Sequence, residues 1–115
     1  MTHSHILNVG YEPILLLTHS MILRQAGYVV VESSVLAEML SKVDSDFIDV
    51  VLICNSVSRR EQEWLVRQIM NKRCLLPILC IKNNPYDGTV PGCTGIENEP
   101  AALLSAVELS LKGIV

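Results

Sequence analysis

Short aliphatic runs alternate along the chain with longer segments whose apolar residues recur at helical spacing. Ile6 to Val9 is the first β-type run. Glu12-Pro13 then marks a helix start, because proline is tolerated in the first turn and a carboxylate suits the positive end of the helix dipole. Leu15, Ile22 and Ala26 recur at helical spacing beside Leu16, His19 and Leu23, and Gly27 is placed to end that helix. Tyr28 to Val31 reads as a second strand. Ser34 is a candidate cap for a helix to about Lys42, with Leu36, Met39 and Leu40 inward. Asp49 to Cys54 is continuously apolar after its first residue, as expected of a strand buried on both faces. Ser58, with Glu61 three residues on, has the pattern of a capping box for a helix to about Asn71, turned inward by Leu65 and Ile69. Pro77 to Ile81 is a fourth buried run. Asn83 to Gly92 carries Asn-Pro, Asp-Gly and Pro-Gly pairs and reads as a turn-rich loop. A short strand over Thr94 to Glu97 and a helix from Pro100 to about Lys112 complete the chain.

The order βαβαβαβ-loop-βα predicts a parallel sheet with helices on both faces. In open sheets of this class the functional crevice lies at the carboxyl ends of the strands. That rule singles out Gly10, Tyr11, Cys54, Lys82 and Glu99.

At 115 residues the chain fits one domain, 1–115, large enough to bury a core without disulfides or metals. Half of the residues are hydrophobic and 4% are aromatic, which suits an aliphatic α/β core. The net charge is −3, and the basic residues are scattered apart from Arg59-Arg60 and Lys72-Arg73. Without a basic stripe, nucleic acid is not an expected partner. Cys54, Cys74, Cys80 and Cys93 match no zinc spacing and read as reduced thiols of a cytoplasmic protein. No signal peptide and no span of roughly 18 apolar residues is present, so no membrane association is expected.

Five segments, in order, resemble the receiver domains of bacterial response regulators. Ile6-Leu7-Asn8-Val9-Gly10-Tyr11-Glu12-Pro13 is similar to a receiver's first strand, where two acidic residues precede Glu-Pro. Gln25-Ala26-Gly27-Tyr28-Val29-Val30 resembles the passage from first helix to second strand. Asp49 to Cys54 resembles the third strand, which in receivers ends in the phosphoacceptor aspartate. Pro77 to Lys82 resembles the fourth, which ends in Thr or Ser. Glu99-Pro100 stands where receivers have Lys-Pro. The resemblance implies a flavodoxin-like (CheY-like) doubly wound α/β fold with a five-stranded parallel sheet in the order 2-1-3-4-5. Only 16 residues separate Lys82 from Glu99, so the fourth helix of the family is expected to be reduced or absent.

The resemblance also implies that the phosphorylation chemistry is missing. Gly10 and Tyr11 replace the acidic pair, Cys54 the acceptor, Lys82 the Thr, Glu99 the Lys, and Ile96 the aromatic switch residue. A thiol is a poor ligand for Mg²⁺, which wants several oxygen ligands, and Glu12 alone is too little for such a site. No metal and no cofactor are expected. The reading that follows is a non-enzymatic, phosphorylation-independent pseudo-receiver in bacterial two-component-type signalling. Its partner is another protein or a second copy of itself. The helix from Pro100 is apolar nearly all round, which places the interaction face at Leu104, Glu108, Leu109 and Lys112. Lys82 and Glu99 are expected to form an ion pair, or nearly so, across the crevice. Two alternatives stay open: a thiol-dependent enzyme using Cys54, and a small-ligand sensor using the crevice around Tyr11, Cys54 and Lys82. Against the first, Cys54 has no His placed by sequence to act as its base. His3-x-His5 reads as a frayed terminus, His19 as a helix-flank residue, Trp64 as boundary packing, and Arg59-Arg60 as solvated first-turn residues near the crevice.

Overall fold

The computed structural model describes residues 4–45, 47–84, 86–88 and 90–113. Within them the strands are β1 (His5–Val9), β2 (Val29–Ser33), β3 (Val50–Ile53), β4 (Ile78–Ile81) and β5 (Thr94–Ile96). The helices are α1 (Pro13–Gln25), α2 (Leu36–Ser45), α3 (Arg59–Lys72) and α4 (Pro100–Leu111). All five strands form one parallel sheet in the order β2-β1-β3-β4-β5, as the alternation and the resemblance predict.

Alternate residues of the central strands feed two separate cores, because strand side chains point to opposite faces. On one face Leu7, Val9, Val51, Ile53 and Cys80 pack under α2 and α3, meeting Met39, Val43, Leu65 and Ile69. On the other, Ile6, Val50, Leu52, Leu79 and Ile96 pack under α1 and α4, meeting Leu23, Leu103 and Val107. β3 and β4 are buried at every position, as their unbroken apolar runs require.

The local signals account for most boundaries. Glu12 caps α1 through its carboxylate, which accepts from the Leu15 amide at 2.8 Å, with Pro13 behind it at the first helical position. Gly27 takes φ +96°, the left-handed conformation that lets the chain leave α1. Ser58 caps α3 by accepting from the Glu61 amide. Ser34 is not the cap of α2: the helix starts at Leu36, and the Val35 carbonyl accepts its first backbone bonds from Glu38 and Met39. β2 runs to Ser33, beyond the expected Val31, because Glu32 and Ser33 stay in register with Asn8 and Val9 of β1.

The crossover from β4 to β5 holds no helix among its described residues, in line with its turn-rich composition. It lies instead against α3. Val90 is buried there, and a Cβ on Gly92 (φ +91°) would come within 2.5 Å of the Met70 sulfur. Arg59 ties the loop to the first turn of α3 by donating to the Gly88 carbonyl at 2.7 Å.

Candidate functional site: the carboxyl ends of the strands

The residues after β1, β3 and β4 converge, and neutral hydrogen bonds stitch them together. Cys54, directly after β3, is fully buried, and its thiol donates to the Asn55 side-chain oxygen at 3.2 Å. Gly10 follows β1 and lies against Cys54 so closely that a side chain could not be fitted there without movement. The Ser56 hydroxyl oxygen accepts from the amides of Tyr11 (3.0 Å) and Glu12 (3.3 Å), joining the β1–α1 turn to the β3–α3 turn. Asn55 donates to the Asn83 side-chain oxygen at 3.1 Å, and the Asn83 amide donates back to the Asn55 carbonyl at 3.2 Å, joining the third turn to the segment after β4.

Tyr11 extends this seam outward. Its hydroxyl donates to Glu61 of α3 at 2.5 Å, and the same carboxylate accepts from Ser58 at 3.2 Å. Burial, the hydrogen bond and the nearby Glu61 charge push the Tyr11 phenol up to about 12. The Glu12 carboxylate is committed to the cap of α1. The acceptor-side residues are therefore a thiol, amides and hydroxyls. Among the described residues, no three His, Cys, Asp or Glu side chains gather in a way that could hold a metal ion.

Lys82 and Glu99 do not form the expected ion pair. Both border a surface cleft of about 350 Å³ with Asn83, Glu97 and Asn98, but no salt bridge joins them among the described residues. The stem of Lys82 lies across Gly95, where an added Cβ would meet its Cε at 2.5 Å. Glu99 is exposed at the N-cap of α4 and makes no side-chain cap bond. Lys82 also borders a second cleft of about 150 Å³ with Arg59, Gln62, Asp87 and Gly95. Tyr11 and Cys54 line neither of these two clefts. Ile96, in the position of the aromatic switch, is a core residue of the α1/α4 side, and its carbonyl accepts from the Lys82 amide.

The surfaces also differ from expectation. On α4, Leu103, Val107 and Ser110 are buried and Leu104 is half-buried. Glu108 and Lys112 pair with each other at 2.9 Å, and Leu109 is exposed beside them. The outer face of α4 is thus mixed, not apolar. A larger exposed apolar stripe lies on α1, where Ile14, Leu17 and Met21 are 71%, 53% and 55% exposed at i, i+3, i+7 spacing.

The seam of Asn55, Ser56, Glu61 and Asn83 went unnoticed in the sequence, where the strand-end rule singles out only Gly10, Tyr11, Cys54, Lys82 and Glu99. The signal available was the polar pair Asn55-Ser56 directly after the apolar third strand. His19 is not a flank residue. It is 5% exposed, its Nδ1 has no partner among the described residues, and it borders a cavity of about 130 Å³ between α1 and the start of α4. His5 opens β1, and His3 lies outside the described residues. Trp64 is partly exposed on α3, as boundary packing requires. No helix is long and apolar enough to cross a membrane among the described residues.

No protein-family model matches the sequence, and no curated protein is similar to it. Solved structures are similar in fold. A CheY-like response regulator receiver domain protein from Methanospirillum hungatei superposes with a TM-score of 0.83 at 18% identity, over 98% of this chain and 97% of that one. A response regulator receiver protein from Sinorhizobium medicae gives 0.80 at 24% identity, over 98% of both chains. The chemotaxis protein CheY4 of Vibrio cholerae gives 0.80 at 22% identity, over 96% of this chain and 100% of that one. With its sheet order, its two helical layers and these neighbours, the chain has the CheY-like, flavodoxin-type fold of response regulator receiver domains.

Proposed function

We propose that this chain is a pseudo-receiver: a single receiver-like domain, 1–115, that acts in two-component-type signalling in the cytoplasm without being phosphorylated. The observation that carries the reading is the neutral seam at the strand ends. In place of carboxylates around a cation stand the buried Cys54 thiol, the Asn55–Asn83 amide pair and the Ser56 hydroxyl. A phosphoryl group needs an acceptor carboxylate and oxygen ligands for its cation. Neither is supplied by Gly10, Tyr11 or Cys54. The seam also joins three turns that a phosphorylation switch would have to move. These bonds oppose such a movement at the strand ends.

Its role is protein interaction, with a partner protein or a second copy of the chain. Leu109 beside the Glu108–Lys112 pair, with half-buried Leu104, forms one candidate face, and the α1 stripe of Ile14, Leu17 and Met21 forms a more apolar one. The thiol-enzyme alternative is disfavoured by the complete burial of Cys54 and by its bond to Asn55, since a reactive thiol needs access and a neighbouring cation.

The test is incubation with acetyl phosphate or beryllofluoride in the presence of Mg²⁺. The expected result is no mass shift and no change in the Trp64 or Tyr11 signals. A stable aspartyl phosphate anywhere near β3 would sink the reading.

A further inference from the structure

The outer face of α1 stands apart from those of α2, α3 and α4. From Pro13 to Leu23 it carries no Asp, Glu, Lys or Arg, whereas the other three helices expose Glu38, Arg67 and Glu108. Ile14, Leu17 and Met21 form its exposed apolar stripe, and Thr18 is the polar residue among them. The Thr18 hydroxyl donates to the Ile14 carbonyl at 2.8 Å, so its proton is already placed within the helix. His19 and Ser20 are turned inward and buried. The stripe can therefore leave water without stranding a charge or an unpaired hydroxyl donor. Its spacing is that by which one helix interlocks with another.

Along the helix, charge returns only at the two ends, and the signs are opposite. Arg24 lies in the last turn, exposed, and reaches Glu32 only at 3.8 Å. Glu12 caps the first turn, and Tyr11, one residue back, holds the Glu61 carboxylate. An antiparallel pair of such helices brings each Arg24 to the carboxylate-bearing end of the other copy, and each helix C-terminus beside an N-terminus. A parallel pair would set Arg24 against Arg24. The face thus complements itself in one orientation, which makes a second copy of this chain its occupant.

We infer that α1 pairs with α1 of a second copy, antiparallel about a two-fold axis that passes between Leu17 and Thr18. Ile14 of each copy then packs against the partner's Met21, and Leu17 packs against the partner's Leu17 and Thr18. The charged outer faces of α2, α3 and α4 stay in water. Three large side chains a copy are few beside the roughly 20 residues a side of a standard interface, so the dimer is weak and depends on concentration. The inference rests on the interaction role proposed above and is independent of whether the strand ends accept phosphate.

The experiment uses the full chain carrying Cys74→Ser, which removes the exposed thiol. In that chain Leu17→Cys should give a disulfide-linked dimer under mild oxidation with copper phenanthroline. Ile14→Cys and Met21→Cys should each fail to link to themselves, because equivalent residues lie about 10 Å apart along the axis, beyond disulfide reach. Mixed together, the two variants should link to each other. Sedimentation equilibrium reads the association without oxidation, and Leu17→Asp should raise the dissociation constant roughly tenfold or more. A dimer that persists unchanged in Leu17→Asp, or an Ile14→Cys variant that links to itself, overturns the inference and leaves the interaction role standing. A monomer at every concentration overturns it and assigns that role to a different protein. A domain that took up phosphate yet kept the linkage pattern would lose the pseudo-receiver reading and retain this pair.

Discussion

A β-carbon placed on Gly10 would lie 2.7 Å from the β-carbon of Cys54, closer than two such atoms approach in a folded protein. The contact explains why the residue after β1 is a glycine here without any need for an unusual backbone angle. It also ties the ends of β1 and β3 together: while residue 54 carries a side chain, residue 10 has no room for one.

Gly10→Ala is therefore expected to destabilise the domain by about 1–3 kcal/mol, the usual cost of overpacking a filled core. Cys54→Ser should not recover the loss, because its β-carbon stays in place. Urea denaturation of the single and double variants measures both effects. A Gly10→Ala midpoint equal to that of the parent would show that the turn relaxes freely.

Tyr11 should ionise late. Its phenol is pushed up to about 12 by burial and by Glu61. A raised pKa in the folded state means stability that is complete below the unfolded value near 10 and is lost as the pH rises through about 12. An alkaline absorbance titration should show a late phase that Tyr11→Phe removes and Glu61→Gln moves to lower pH. The same late phase in Tyr11→Phe would assign it to another tyrosine.

His19 gives the opposite dependence on the acid side. Burial lowers its pKa, and the bond with Asn98 only partly offsets this. A lowered pKa means stability that is present above the unfolded value near 6.5 and is lost as the pH falls through the folded value. Between about pH 7.5 and 5.5, the parent should lose more thermal stability than His19→Leu, which carries no proton at that site. Equal losses in the two proteins would clear His19 of the effect.

If the domain associates through its apolar surface, Leu17→Asp should weaken the association more than Leu109→Asp, since Leu17 sits in the centre of the α1 stripe and Leu109 stands beside an ion pair. The contact should change little with salt, because apolar burial is not screened. Light scattering at micromolar concentration follows both variants. A monomeric mass for the parent at all concentrations would leave only a heterologous partner.

The fold was legible because its signals are local and agree with one another. Unbroken aliphatic runs at Val50–Ile53 and Ile78–Ile81, the Glu12-Pro13 start and the Gly27 stop each act within a few residues. The site was legible only at the residues that the strand-end rule names. Asn55 and Ser56 of the β3–α3 turn meet Asn83 after β4 and the Tyr11 and Glu12 amides after β1, and no periodicity encodes which turns come together. Lys82 and Glu99 border one cleft without forming an ion pair for a related reason. Adjacent strand ends fix the backbones, but Gly95 lets the Lys82 stem lie across β5. His19 was misjudged because its spacing fits a flank as well as a core, and only the packing of α4 on α1 decides between them. The exposed stripe on α1 was hidden by the same ambiguity in a helix apolar at many positions.

The lack of a helix among the described residues of the β4–β5 crossover bears on the order in which the sheet opens. β5 has three residues and a single neighbour, β4, and its α2/α3 side is roofed by a loop in place of a helix. β1 and β3 are flanked by strands on both sides and covered by helices on both faces. Local opening follows buried contact and cover. The β5 amides are thus the sheet's shallow end for exchange with solvent, able to detach and reseat while β1 and β3 stay closed.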